Sequence, residues 1–586
     1  MASPIIKLIE KNSLPVSKRT RSKNSSILNY SDNLEDKKIY ISATEFDNFC
    51  ENDPISDWFS ILAKEFNLED KYSKSDMQFL FDKGNEHEEN IIEKLRKITG
   101  LKLEKLSSVK TSREYNKNLK LEKKDIERTL HEMSLGQPIL YSSYIYNNKE
   151  KLRGIPDLLV RNDYIPIIFN KINHTELPEE KSIFGSYYYV PVEIKFSSVE
   201  LTSNDKYILN KGRMKIYKTQ LFTYCKILEE IQGVLPKKAF IIGKRTVLSK
   251  KDILDPIEYP GLIDYTSEYD SCYFYIFHNG LKWLRDVKEN GISWSFEDMK
   301  SKELYPNMKS SNNQFYKDKK ELSEKYGEIT ELWRCSTLIR KNALNKGIYS
   351  WKDQKFNASI TGMSKYYHQS LNNILKVNRE DIDYYPRFFS DTSFREVESE
   401  AFVDFEIIRD SFDIDSYGDS EWIFLIGVRY KGEYKSFIMN SLSEVEEKRV
   451  IDEFIKFLSD NNFPKCWFWC AEVKFWNRAM TRHNMKVDNI KWVDLYDIYT
   501  KESFAVKGSL NFKLKSYIKN LVKLKKINVD LPPENCSDGL SAMTIAWKYY
   551  NDVSNRNEEE MKDVIYYNSL DCQYVEELLN FARNFL

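Results

Sequence analysis

The sequence predicts a multidomain α/β protein, and three observations carry that expectation. At 586 residues the chain exceeds what one hydrophobic core usually serves, so two or three domains are expected. Hydrophobic residues make up 41% and aromatic residues 14%, ample for packed cores and unlike the profile of a disordered chain. In the last third, strand-like runs (AFVDFEII, WIFLIGVRY, KCWFWCAE) alternate with helical patterns, the signature of an α/β layer.

Taken in order, residues 1–36 are polar and rich in Lys, Ser and Asn, and are expected to form a disordered basic tail; SKRTRSK within it reads as solvated. Residues 37–300 mix helical and strand patterns and are expected to form the first domain. Residues 301–395 are expected to be a small helical connector: EITELWRCSTLIRKNALNKGIYSWKD has helical spacing and a weak likeness to a helix-hairpin-helix unit, but the hairpin glycines are absent from RCST. Residues 396–586 are expected to form the second α/β domain, whose best-marked helix starts at a capping box, Ser443 and Glu446, before Ile451, Phe454, Ile455 and Leu458.

Composition excludes several classes. Lys plus Arg and Asp plus Glu both number 89, so nothing pulls the whole chain toward nucleic acid and any such binding must be local. The absence of an eighteen-residue apolar run, and of an apolar core where a signal peptide would need one, leads to the expectation of a soluble, intracellular protein without membrane attachment, in cytoplasm or nucleus. The eight cysteines show no cluster spacing; Cys466 and Cys470, in the run CWFWC, are expected to be reduced residues on one strand face. No P-loop is present, so the chain is not by itself a helicase.

Two constellations carry chemistry. In YVPVEIKFSS, Val192, Ile194 and Phe196 alternate with Glu193 and Lys195, so a half-buried strand would project a carboxylate and an ammonium from one face. RGIPDLLVR supplies Asp157 upstream, KGNEHEENIIEKL places His87 and Glu88 at the start of a helix, and YKTQLFTYCKIL sets Gln220 and Tyr224 on one helix face. Carboxylates that hold Mg²⁺ or Mn²⁺, with a lysine beside the attacking water, are what phosphodiester hydrolysis needs. Further on, Asp404 and Glu406 share one face of AFVDFEII, where two acids repel unless solvated or neutralised by a cation. YYNSLDCQYVEELL places Tyr567 and Asp571 one helical turn apart.

The ordered set of glycine-led helix, GxPD, ExK and QxxxY resembles the RecB family of PD-(D/E)xK nucleases. That resemblance implies a restriction-endonuclease-like core in which Asp157 and Glu193 bind metal, Lys195 is the catalytic lysine, and Gln220 and Tyr224 position nucleic acid. Either His87 or Glu88 would be a further metal ligand. The distance from Asp157 to Glu193 in the chain implies an insertion around 166–188. The second set resembles the DEDD exonucleases of the RNase H-like fold, which implies two metal ions held by Asp404, Glu406 and Asp571, with Tyr567 aligning the attacking water. For the middle acid the candidate is Glu472, which follows an apolar run and opens a helical pattern, with Asp494 as the substitute. The lysine-rich segment 513–526 could lie along a nucleic-acid backbone. The joint expectation is a Mg²⁺- or Mn²⁺-dependent nuclease, most directly a DNA exonuclease of replication, repair or recombination, with RNA as the alternative substrate and a helicase or polymerase as partner. The rival expectation is a nucleic-acid-binding scaffold in which one or both sites are inactive.

Overall fold

The computed structural model describes residues 3–12, 40–68, 78–111, 119–169, 177, 180–249, 252–300, 302–310, 314–380, 382–395, 399–409, 421–533, 536–551 and 556–585. The chain divides into two compact units, Met1–Lys325 and Tyr326–Leu586. The basic tract SKRTRSK lies outside the described residues.

The first unit opens with a helix where a disordered tail was expected. In α1 (Pro4–Asn12), Ile5, Ile6 and Ile9 fall on one face and are buried, and the Ser3 backbone N–H donates to Glu321 at 3.0 Å. Three apolar residues at helical spacing outweigh the polar composition of the segment around them. Next come α2 (Gln78–Thr99), β1 (Ile139–Tyr141), β2 (Leu158–Arg161), β3 (Tyr189–Ile194), α3 (Met214–Gln232), β4 (Lys238–Ile242) and β5 (Gly261–Asp264). The five strands lie in chain order across one sheet, and only the β3–β4 pair is parallel. That pair needs a crossover, which α3 provides. The insertion expected around 166–188 falls between β2 and β3, and residues 170–176, 178 and 179 of it lie outside the described residues.

Both faces of this sheet are covered. Ile91, Ile92 and Leu95 of α2 share a core with Leu158, Val160, Val192 and Ile194, whereas Leu221, Tyr224 and Leu228 of α3 share one with Leu159, Tyr189 and Ile241. The expectation of a half-buried strand at β3 is therefore corrected: all six of its residues are buried, because helices pack on each side.

The second unit has α4 (Thr337–Asn345), α5 (His368–Arg379), β6 (Glu400–Arg409), β7 (Glu421–Tyr430), β8 (Glu433–Ile438), α6 (Glu444–Asp460), β9 (Lys465–Phe468), α7 (Glu472–Arg482), β10 (Lys491–Asp494), α8 (Leu495–Lys501), α9 (Leu514–Lys523), α10 (Gly539–Asn551) and α11 (Glu558–Phe585). Its sheet runs β8-β7-β6-β9-β10, an antiparallel meander followed by two parallel strands. Ile329, Leu332, Ile339, Leu371 and Leu375 belong to the same core as Phe402, Trp467, Tyr517 and Leu578. The segment expected as a separate connector is thus divided: residues up to Lys325 belong to the first unit, and those from Tyr326 build the second unit's core.

Ser443 caps α6, accepting from the Glu446 N–H at 3.2 Å, but Glu446 does not return the bond to it; its carboxylate takes the Asn440 N–H at 2.8 Å instead. Cys466 is buried in β9, whereas Cys470 lies beyond the strand end with φ of 86° and is exposed, so the expected shared strand face is lost at the turn.

Candidate active sites

In the first unit the site forms where β2 and β3 run side by side. Asp157, just before β2, accepts the Ile194 N–H at 2.7 Å, and Glu193 lies within reach of the Asp157 N–H at 3.4 Å. Lys195 forms an ion pair with Glu193, and its ammonium lies 5.3 Å from the Tyr217 ring centroid. On α3, one turn apart, Gln220 donates to Tyr224 at 2.9 Å and reaches Glu193 at 3.4 Å, while the Tyr224 hydroxyl donates to the Ile155 carbonyl at 3.2 Å. Gly154 has a steric reason: a Cβ there would overlap the Tyr224 ring and lie 2.9 Å from Cδ1.

The two candidates expected at the start of a helix lie in the middle of α2, because the helical pattern extends back to Gln78, and they part company. Burial, and then the neighbouring Asp157 charge, raise the Glu88 carboxyl, which accepts the Tyr141 hydroxyl at 2.8 Å. His87 is buried against Phe196 at 5.5 Å, neither ring nitrogen is hydrogen-bonded, and burial pushes the imidazole down to about 4. Glu88 therefore faces the carboxylates, and His87 packs beside them. Burial and Glu193 push Asp157 up to about 8. Burial opposes the charge on Lys195, but Glu193 and Asp157 overcome it and raise the ammonium.

In the second unit, β6 brings Asp404 and Glu406 to the sheet face covered by α11, which carries Asp571. One carboxylate oxygen from each of Asp404, Glu406 and Asp571 lies within 4.8 Å of the others, the one such group of three among the described residues. Burial and then the Asp571 charge push Glu406 up to about 8, and the same two causes raise Asp404 well above the carboxylate range. The Asp571 Oδ1 atom is buried without a hydrogen-bond partner. An orphaned carboxylate oxygen within a trio of mutually repelling acids fits a hard divalent cation.

Glu472 is the first residue of α7 and is buried; burial pushes it up to about 8, with Asp494 and Asp571 contributing. It stands outside the trio. Asp494 is committed to the backbone, taking the N–H groups of Cys470 at 3.0 Å and Tyr496 at 2.9 Å as it caps α8. Tyr567 is buried beside Asp571, and Lys515 of α9 reaches both: it bonds to the Tyr567 hydroxyl, lies 3.7 Å over that ring, and pairs with Asp571 at 3.3 Å.

Two residues of this site escaped the sequence reading. Asn568, fully buried, donates to the Asp404 carboxylate at 2.7 Å and accepts from Tyr434 at 2.9 Å. Gly427 on β7 leaves the space for it, since a Cβ there would overlap Asn568 Oδ1 and lie 2.9 Å from Cγ. Asn568 follows Tyr567 directly and stands one turn before Asp571, the only local signal it gives. Lys515 was visible as part of the lysine-rich segment and not as an individual residue.

Residues 411–582 match the family model of the RNase_H superfamily (RNase_H_2). The C-terminal domain is therefore RNase H-like, and this likeness indicates nuclease-type hydrolysis of nucleic acid. The match covers Glu472, Asp494, Tyr567 and Asp571 and begins after Asp404 and Glu406. No curated protein and no solved structure matches the chain. No helix among the described residues is long and apolar enough to cross a membrane.

Proposed function

We propose that the protein is a metal-dependent nuclease that hydrolyses DNA, acting as an exonuclease through a DEDD-type site in its second unit and carrying a RecB-like PD-(D/E)xK site in its first. The observation that carries the reading is the trio Asp404, Glu406 and Asp571, whose ligand atoms lie within 4.8 Å of one another while Asp571 Oδ1 has no partner. These oxygens would hold Mg²⁺ or Mn²⁺, which when bound supplies an acidified water and neutralises charge at the scissile phosphate. Asn568 fixes the Asp404 carboxylate, and Lys515 fixes the phenol of Tyr567 beside Asp571. Burial keeps bulk water from screening these charges.

At the first site, the reading is supported by Asp157, Glu193 and Lys195 meeting at one end of the paired inner strands β2 and β3, with Glu88 beside them. Lys195 would orient the attacking water, and Gln220 with Tyr224 would brace Glu193. The rival reading, a binding scaffold with a silent second site, is favoured by one observation: Glu472 stands outside the trio.

The deciding experiment follows end-labelled single- and double-stranded DNA and RNA with wild type, Lys195→Ala and Asp404→Ala in Mg²⁺ or Mn²⁺. Loss in Asp404→Ala alone assigns catalysis to the second unit, and loss in Lys195→Ala alone assigns it to the first. Partial loss in each means two working sites, and no cleavage by wild type of any substrate selects the scaffold.

A further inference from the structure

We propose that Trp333, Arg334, Tyr366 and Tyr367 form a stacking platform that receives the unpaired bases of single-stranded nucleic acid at the rim of the second unit's carboxylate site. The inference rests on the nuclease reading for what lies beyond the rim. All four residues precede position 411 and so lie outside the RNase H-like match.

The Arg334 guanidinium sits 3.9 Å from the Tyr367 ring centroid and 5.0 Å from that of Trp333. Trp333 and Tyr367 meet edge to face at 5.4 Å, and Tyr366 meets Tyr367 in the same way at 5.0 Å. An aromatic cluster built only to fill a core would be covered, yet Tyr366 is 72% exposed. Arg334 holds a φ of 58°, a conformation non-glycine residues seldom take, and it pairs with no carboxylate among the described residues. An exposed guanidinium plane and an exposed phenol ring, unclaimed by acids, offer the two surfaces on which bases stack without regard to sequence.

The platform is tied to the carboxylate site through the chain between Phe512 and Lys515. Phe512 packs on Trp333 at 4.8 Å, and three residues further along the chain Lys515 touches Tyr567 and Asp571. Three residues span at most about 11 Å, a reach of a few nucleotides. Tyr496 packs on Phe512 at 6.5 Å beside the same cluster. A strand whose bases lie on the platform would therefore deliver its backbone toward the carboxylates. Duplex DNA, with its bases already stacked on each other, offers nothing to these rings.

The test measures fluorescence anisotropy of a labelled twelve-nucleotide single strand and its duplex with the full-length protein, in Ca²⁺ to hold the complex without turnover. Wild type is expected to prefer the single strand, and Tyr366→Ala and Arg334→Gln each to weaken that binding roughly tenfold while leaving the melting temperature unchanged. Unaltered single-strand binding in both variants, or a wild-type preference for duplex, overturns the platform. Cleavage in Mn²⁺ is read separately. Platform-dependent binding without any cleavage sinks the nuclease reading alone, and cleavage without platform dependence sinks the platform alone.

Discussion

Gly427→Ala is a substitution of one methyl group that should disarm the second site from the strand next to it, where Gly427 pairs with Asp404 on the same sheet face. The new Cβ would overlap Asn568 Oδ1, lie 2.9 Å from its Cγ and press on the Tyr434 ring at 3.0 Å. Asn568 is fully buried, so its amide cannot swing into solvent and must leave Asp404. Losing a hydrogen bond to a charged group costs about 1.5–3 kcal/mol, and overpacking adds about 1–3 kcal/mol. A total near 4 kcal/mol corresponds to a drop in melting temperature of roughly 10 °C for a domain of this size. Calorimetry on wild type, Gly427→Ala, Asn568→Ala and the double variant isolates the cause. With Asn568 shortened, the added methyl meets only Tyr434, so its cost should fall to under about 1 kcal/mol, a coupling of about 2 kcal/mol or more. If the two substitutions add to within about 0.5 kcal/mol, the argument from Asn568 is wrong.

Other outcomes follow from the same geometry. Gly154→Ala should drive Tyr224 off the Ile155 carbonyl and lower the melting temperature of the first unit by about 1–3 kcal/mol equivalent, with any cleavage that depends on Lys195 falling with it; wild-type stability refutes it. Lys515→Met removes a cation beside Asp571, so Mn²⁺ affinity by calorimetry should rise severalfold while cleavage falls; a merely structural lysine would lower both. Asp157, Glu406 and Glu472 are each pushed up to about 8 from ordinary values near 4, so without metal they stabilise the fold below pH 4 and that contribution is lost as pH rises through 8. Melting temperatures in chelator should therefore fall between about pH 4 and 8, and the gain on adding Mn²⁺ should grow over that range; a gain independent of pH would count against the carboxylates as the ligands.

What was legible in the sequence was what a single element imposes. Alternation along a strand places Asp404 and Glu406 on one face, and a four-residue helical step does the same for Gln220 and Tyr224. What was illegible depends on a second element. His87 and Glu88 are adjacent on one helix, about 100° apart, and only the position of the sheet decides that Glu88 faces Asp157 while His87 meets Phe196. Asn568 on α11 needs the missing side chain of Gly427 on β7, far away in the chain, to have any place at all. Helix α1 was hidden for another reason: its three isoleucines are too few to alter the composition of the polar stretch that contains them.

The two sites answer the same electrostatic problem differently, and this bears on which one needs metal to stay folded. In the first unit, Lys195 is paired directly with Glu193, and Lys105 stands 4.0 Å from Glu88, so two ammonium groups oppose the three carboxylates of Glu88, Asp157 and Glu193. In the second, the Asp571 charge raises Asp404, Glu406 and Glu472, Glu406 and Glu472 also raise Asp404, and Lys515 is the single cation among the causes. The larger uncompensated charge lies in the second unit, where the orphaned Asp571 oxygen also lies. A divalent cation relieves that repulsion, so metal binding there is also folding energy. Chelation should accordingly melt the second unit first: in hydrogen exchange followed with and without Mn²⁺, β6 and α11 should lose protection on chelation while β3 keeps it. Equal loss in both units would mean that the built-in lysines of the first site do not replace the metal.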